Sequence, residues 1–155
     1  MNLAMQQFDL SRYMGVWNEF ARYDVSYEKG CQGARAEYSL RNNEVIIHNL
    51  CYKNGKIVKD IYGTGIEKKP GKRIGSLIIR FNIFATGGYN VLWTDYTHVS
   101  FVINDDRSAF WILVRDNELS GKVFERINSK FNYYKASGII DESKLIYSEN
   151  YRYTD

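Results

Sequence analysis

Two histidines, two cysteines and one glutamate are the residues of this 155-residue chain whose chemistry calls for explanation first. His48 and His98 each fall in a strand-like run, and neither belongs to a Ser, Cys or Glu signature, so acid–base or nucleophilic catalysis has no visible apparatus. No His or Cys recurs at the short intervals of a zinc site. Gly63-Thr64-Gly65 sits mid-strand, without the helix and lysine that would cradle a phosphate. Catalytic residues, metal ligands and a cofactor are therefore not expected. Pairing Leu40 with Val45 across a tight hairpin sets Cys51 opposite Ala34 and leaves Cys31 near Asn54, three residues out of step. That register argues against a bridge between the two cysteines, although a mobile first loop could permit one. Glu19 shares a strand face with Trp17 and Ala21, which is the inward face. A carboxylate there must meet a Tyr hydroxyl, an Arg, water or ligand, because burying it without a partner is costly. A structural partner inside the floor is preferred to a ligand contact.

The scaffold around these residues is marked out by turn signals at close intervals: Asn42-Asn43, Asn54-Gly55, Pro70-Gly71, Gly87-Gly88, Tyr96-Thr97 and Asp105-Asp106. Each separates runs rich in β-branched and aromatic residues, so hairpin succeeds hairpin. Strands are expected at 15–24, 33–41, 44–53, 57–67, 75–83, 88–94, 98–104 and 109–115. With no helical crossover between them, they are antiparallel neighbours in sequence order. The simplest closed solution is an all-β, eight-stranded up-and-down barrel, which leaves no exposed sheet edge. Ser120 can cap a helix to about Lys135, whose Val123, Phe124, Ile127, Phe131 and Tyr134 form one apolar stripe. A short strand at 144–147 closes a single domain, with residues 1–7 as an N-terminal extension.

Alternation selects the inward side chains. Ala34, Ala36, Tyr38 and Leu40 share the apolar face of the second strand. The seventh and eighth strands are apolar on both faces and need an outer cover, which the helix stripe supplies. Toward the open end, Glu19, Ala21, Tyr23, Ala34, Ala36, Tyr38, Ile61, Tyr89, Val91, Trp93, Val102, Trp111 and Leu113 are the candidates for contact with a ligand. Together they outline an apolar tube with phenol and indole polar tips, suited to an acyl chain with a small polar head. Small residues at Ala34, Ala36, Gly63 and Gly65 leave room for a hollow. The fifth strand is apolar at too many positions for its faces to be assigned.

Gly15-x-Trp17 within the opening segment Phe8-Asp9-Leu10-Ser11-Arg12-Tyr13-Met14-Gly15-Val16-Trp17, then Thr94-Asp95-Tyr96, then Arg115 at the end of the last strand, together resemble the lipocalin family. The pattern is most similar to its bacterial lipocalin and apolipoprotein D branch. The resemblance implies a calyx with Trp17 at the closed floor, Arg115 packed across it, and Gly15, Thr94, Asp95 and Tyr96 shaping that end without touching ligand. It implies non-covalent carriage of a hydrophobic small molecule, with fatty acids or lysophospholipids leading. Two alternatives remain. One is a lipocalin-type isomerase or hydrolase using His98 or Cys31. The other is carriage of haem or another tetrapyrrole through His98 or Tyr ligands.

A formal net charge of +3 with dispersed Lys and Arg lacks the footprint of a nucleic-acid binder. Lys29, Lys53, Lys56 and Arg107 give the open-end loops a modest cationic rim, and Phe84 on one of them is a candidate for contact with membrane or a partner. The chain is expected to be a monomer or weak dimer. Its first residues show neither a cationic start nor an apolar stretch. A periplasmic or outer-membrane location after removal of a leader is expected from the resemblance, with the cytoplasm as the alternative.

Overall fold

The computed structural model describes residues 3–25, 28–82, 85–116, 118–148 and 152–154. Eight strands succeed one another as β1 (Gly15–Tyr23), β2 (Gly33–Arg41), β3 (Glu44–Lys53), β4 (Lys56–Glu67), β5 (Ser76–Asn82), β6 (Ala85–Thr94), β7 (Val99–Ile103) and β8 (Phe110–Val114). Each pairs with the next and β1 pairs back on β8, so the antiparallel sheet closes into the barrel that the turn spacing predicts. The register joins Leu40 to Val45 and Ala34 to Cys51. Asn54 and Gly55 both take positive φ, 53° and 75°, as the tight β3–β4 hairpin requires. β6 begins three residues earlier than the Gly87-Gly88 signal suggests, because these glycines pair with Ile79 and Ile78 instead of turning. Phe84 lies outside the described residues.

Two bulges decide which side chains face inward. In the β1–β8 ladder Glu19 pairs with Leu113 but Ala21 with Ile112, which leaves Phe20 as an extra residue. In the β6–β7 ladder Val91 pairs with Val102 but Trp93 with Phe101, which leaves Leu92 extra. An inserted residue reverses the alternation of the positions C-terminal to it. Ala21, Tyr23 and Trp93, expected in the cavity, therefore lie on the barrel's outer side. Tyr23 packs on Phe110 at 5.5 Å and its hydroxyl accepts from the Asp141 amide at 2.8 Å. Trp93 packs on Phe101, with the Lys130 ammonium 4.7 Å from its ring centroid. Leu40 is a further correction. It is 41% exposed, because β1 pairs with β2 only as far as Tyr38, and Leu40 runs on past the barrel floor.

The outer face of β7, β8 and β1 is covered by α2 (Gly121–Ala136), whose first turn is capped by the Ser120 hydroxyl accepting from the Val123 amide. Val123, Ile127, Phe131 and Tyr134 bury against Phe101, Phe110, Ile112 and their neighbours, as the stripe predicts. At roughly 1.5–3 kcal/mol for each buried large apolar side chain, this face is a main source of stability. A short helix, α1 (Leu10–Tyr13), capped by Asp9, closes the base. The preceding segment is not a loose extension. Met5 donates to the Val91 carbonyl and accepts from the Gly75 amide, and Gln6 bridges Ile74. Near the C-terminus, β10 (Leu145–Tyr147) adds to β1, and β9 (Glu118–Ser120) pairs in parallel with β11 (Arg152–Thr154). That last pairing has no sequence signal.

Candidate functional site: a stoppered cavity with a buried carboxyl pair

At the closed end Trp17 is fully buried and its indole Nε1 donates to the Tyr13 carbonyl at 2.8 Å. The Arg115 guanidinium lies over the indole, and its nitrogens donate to the carbonyls of Tyr96, Val16, Arg12 and Tyr13. Free carbonyls where α1 meets β1 are thus satisfied by one planar fork, which a lysine could not match. Gly15 takes φ +105°, and a Cβ there would sit 3.1 Å from Arg115 Nη1. Thr94 donates to the Val99 carbonyl, and Asp95 accepts from the amides of His98 and Val99. The Tyr96 hydroxyl accepts from the Asp9 amide. All six residues expected at the floor are brought together there.

Above this stopper the barrel encloses a cavity of about 800 Å3, within the ordinary range for a small-molecule site. Of the predicted positions, Glu19, Ala34, Ala36, Tyr38, Ile61, Tyr89, Trp111 and Leu113 line it, and Trp17 forms part of its bottom. Val91 and Val102 face inward but sit lower, packed with Phe8, Tyr13 and Trp17 in the base. The unassigned fifth strand points Leu77, Ile79 and Phe81 inward, with Ile79 and Phe81 on the cavity wall. The space expected above Gly63 is taken by Phe81, whose ring would lie 2.6 Å from a Cβ at that glycine. Ile47 also lines the wall, and alternation from Val45 could have found it.

Two sets of buried polar groups stand at the cavity and its base, besides Arg35, Asn49, Lys59 and Asp60, which also line it. Near the base, the Tyr13 hydroxyl bonds to those of Tyr89 and Ser100, each at 2.7 Å, and Tyr38 bonds to Tyr89 at 3.1 Å. Burial pushes the Tyr13 phenol up to about 12 and raises Tyr89 well above its usual value, so both remain neutral. On the β1 wall, Arg22 donates to Glu19 at 3.3 Å, and its Nε lies 3.5 Å from Glu28, which also accepts from the Trp111 indole at 2.9 Å. Burial raises the Glu19 carboxyl well above the usual carboxylate range. The neighbouring Glu28 adds to this, while Arg22 opposes it. Neither Arg22 nor Glu28 is expected here from the sequence. The Phe20 bulge turns Arg22 toward this wall, and Glu28 comes from an aperiodic loop.

Cys31 and Cys51 form a disulfide with Cα atoms 5.5 Å apart, correcting the expectation of no bridge. The strand register is the one predicted, but Cys31 precedes β2. Gly30 at φ +85° turns the chain back there, and the Gln32 amide donates to the Tyr52 carbonyl. A reactive thiol at Cys31 is thereby removed. His98 stands outside at the closed end, 3.6 Å from Asp116, and His48 lies between Glu37 and Asp60, stacked on Tyr62. Neither histidine is among the residues lining the cavity.

The family model for the lipocalin-like domain matches residues 8–149. The chain belongs to the lipocalin family. Among curated proteins, this lipocalin is 32% identical over 128 residues to the outer membrane lipoprotein Blc of Escherichia coli strain K12, covering 77% of this chain and 69% of that protein. It is 28% identical over 155 residues to the bilin-binding protein of Pieris brassicae, covering 94% and 80%. Among solved structures, insecticyanin of Manduca sexta matches with a TM-score of 0.75 at 24% identity, over 99% of this chain and 89% of that one. Lobster apocrustacyanin A1 matches with a TM-score of 0.68 at 19% identity, over 90% and 78%. These two likenesses show the barrel-and-helix fold.

Proposed function

We propose that this lipocalin is a non-enzymatic carrier or store of a small hydrophobic molecule, with a fatty acid or a lysophospholipid as the leading guest. The observation that carries the reading is the cavity of about 800 Å3, stoppered at Trp17 and walled by Ala36, Ile47, Ile79, Phe81 and Leu113. Apolar surface buried there is worth roughly 25 cal/mol per Å2, which favours a long acyl chain over a compact polar metabolite. Relatives named outer membrane lipoprotein support a placement at the cell envelope, periplasmic or outer-membrane associated. A contact with anionic membrane fits the β3–β4 hairpin, where Ile57 and Val58 are more than half exposed beside Lys53 and Lys56.

Lipid extraction from the purified protein, native mass spectrometry and competition with a fluorescent fatty acid test the reading. Stoichiometric acyl lipid is expected, displaced by the probe. Absence of both signals overturns it. The bilin-binding relative favours a tetrapyrrole as the second reading. With both histidines outside the cavity, that guest would be held by packing and phenol hydrogen bonds, and an induced visible absorption band on mixing with biliverdin tests for it.

A further inference from the structure

Three ionisable side chains are buried together on the β1 side of the cavity: Glu19 is 5% exposed, Arg22 3% and Glu28 9%. Arg22 does not line the hollow, and of its three donor nitrogens only the buried Nε makes no hydrogen bond among the described residues. Nη1 goes to Glu19, and Nη2 goes to the carbonyls of Glu28 and Cys31 at 3.2 and 3.3 Å. Glu28 Oε1 accepts from Trp111, while the buried Oε2 accepts no hydrogen bond among the described residues. Glu19, Glu28 and Trp111 line the cavity, and Arg22 does not. Asp24 stands at the edge, 4.0 Å from Arg22. Among the described residues one guanidinium therefore faces three carboxyl groups, and this wall presents a guest with carboxyl oxygens beside an indole.

Such a cluster is not a stabilising device by default, since an ion network of this kind contributes no more to stability than apolar packing of similar volume. Ionised carboxylates only accept. An anionic head placed here would meet the negative charge of Glu28, and the Arg22 Nε, which has no hydrogen-bond partner among the described residues, does not line the cavity. A cation would gain Glu28, then Glu19, and the face of Trp111.

We propose that Glu19 and Glu28 form the head-group site of the cavity, taking the ammonium group of a cationic or zwitterionic amphiphile whose chain lies against the apolar wall. The proposal rests on the carrier reading and refines it. A free carboxylate head is directed away from this wall, toward the cationic rim. Binding of the cation displaces the proton of Glu19 to solvent, so affinity for it rises with pH. Among the described residues, the charged groups beside Glu19 are Arg22 on its own strand and Glu28 from the β1–β2 loop, with Asp24 beside Arg22, while Arg35 of β2 and Lys59 and Asp60 of β4 also line the cavity. The β8 neighbours Trp111 and Leu113 carry no charge.

The test is displacement of an uncharged naphthylamine dye from the full chain by dodecyltrimethylammonium and by dodecanoate, at about pH 6 and 8. At the higher pH the ammonium is expected to displace the dye at a concentration roughly tenfold below that of the carboxylate, with Glu19→Gln removing most of this preference while still binding dye. Calorimetry of the wild type in buffers of different ionisation enthalpy is expected to show proton release with the ammonium. Equal displacement by both amphiphiles, no proton release, or an unchanged preference in a dye-binding Glu19→Gln protein overturns the head-group site and leaves the carrier reading standing. Failure of dye and both amphiphiles to bind the wild type overturns the carrier reading, and the site with it.

Discussion

The guanidinium carbon of Arg115 lies 3.7 Å from the ring centroid of Trp17, and the two side chains together seal one end of the barrel. Trp17 lies in β1 and Arg115 directly follows β8, at opposite ends of the barrel sequence, and they meet because β1 pairs with β8. The contact is therefore both a consequence of closure and a lock on it.

Removing that lock is expected to cost a substantial part of the stability. Arg115→Ala loses the cation–π contact and several charge-assisted hydrogen bonds, so unfolding in urea should shift by about 2–4 kcal/mol. Arg115→Lys should recover less than half, since one ammonium cannot reach the same carbonyls. Gly15→Ala forces a side chain onto a backbone at φ +105° against the guanidinium, and about 1–3 kcal/mol is expected to be lost.

The Cys31–Cys51 bridge closes a loop with a sequence separation of 20. Chain-entropy arguments give such a loop about 3 kcal/mol. Cys31→Ser combined with Cys51→Ser should lower the urea midpoint by a corresponding amount in non-reducing buffer. Because the bridge also holds the loop that delivers Glu28, bound dye should leave the variant faster. An unchanged dissociation rate would show that the loop is held by Arg22 and Trp111 alone.

His48 gives the outer wall a pH signature. Its ring nitrogens lie 2.7 Å from Asp60 and 3.2 Å from Glu37, and these partners raise its pKa above the ordinary histidine value. A folded-state pKa above the unfolded one means stabilisation that is complete below the unfolded value and fades as pH rises through the folded value. Subtracting the stability of His48→Gln from that of the wild type, between about pH 5 and 9, should leave a term that declines as pH rises above about 6.5. A flat difference would assign the Tyr62 stacking, not the charge, to whatever His48 contributes.

At the open end, the β3–β4 hairpin predicts selective adsorption to vesicles containing anionic phospholipid over vesicles of phosphatidylcholine alone. Attraction of about 1 kcal/mol for each juxtamembrane lysine implies that Lys53→Ser with Lys56→Ser weakens adsorption roughly thirtyfold, and that high salt does the same. Ile57→Ser with Val58→Ser should weaken it at all salt concentrations. Adsorption indifferent to all four substitutions would place the membrane contact elsewhere.

Local and periodic features of this lipocalin were legible in its residues alone. Paired turn residues and β-branched runs set the strand count and the Leu40–Val45 register, and the stripe from Val123 to Tyr134 announced a helix on the outer face of β7 and β8. Gly15, Trp17, Thr94, Asp95, Tyr96 and Arg115 were singled out through a resemblance, and in the structure they lie at one end of the barrel. The chemistry of the wall, by contrast, was settled by tertiary contacts. Phe20 and Leu92 became extra residues only against their partner strands, and each sent the next positions to the opposite face, so Ala21, Tyr23 and Trp93 left the cavity while Arg22 turned in behind Glu19 and Glu28. The loop carrying Glu28 and Cys31 has no period to read, and its course depends on the sulfur, guanidinium and indole it meets after the barrel has closed. Alternation is a property of one strand, whereas a bulge and a folded-in loop are properties of the pair or cavity that contains them.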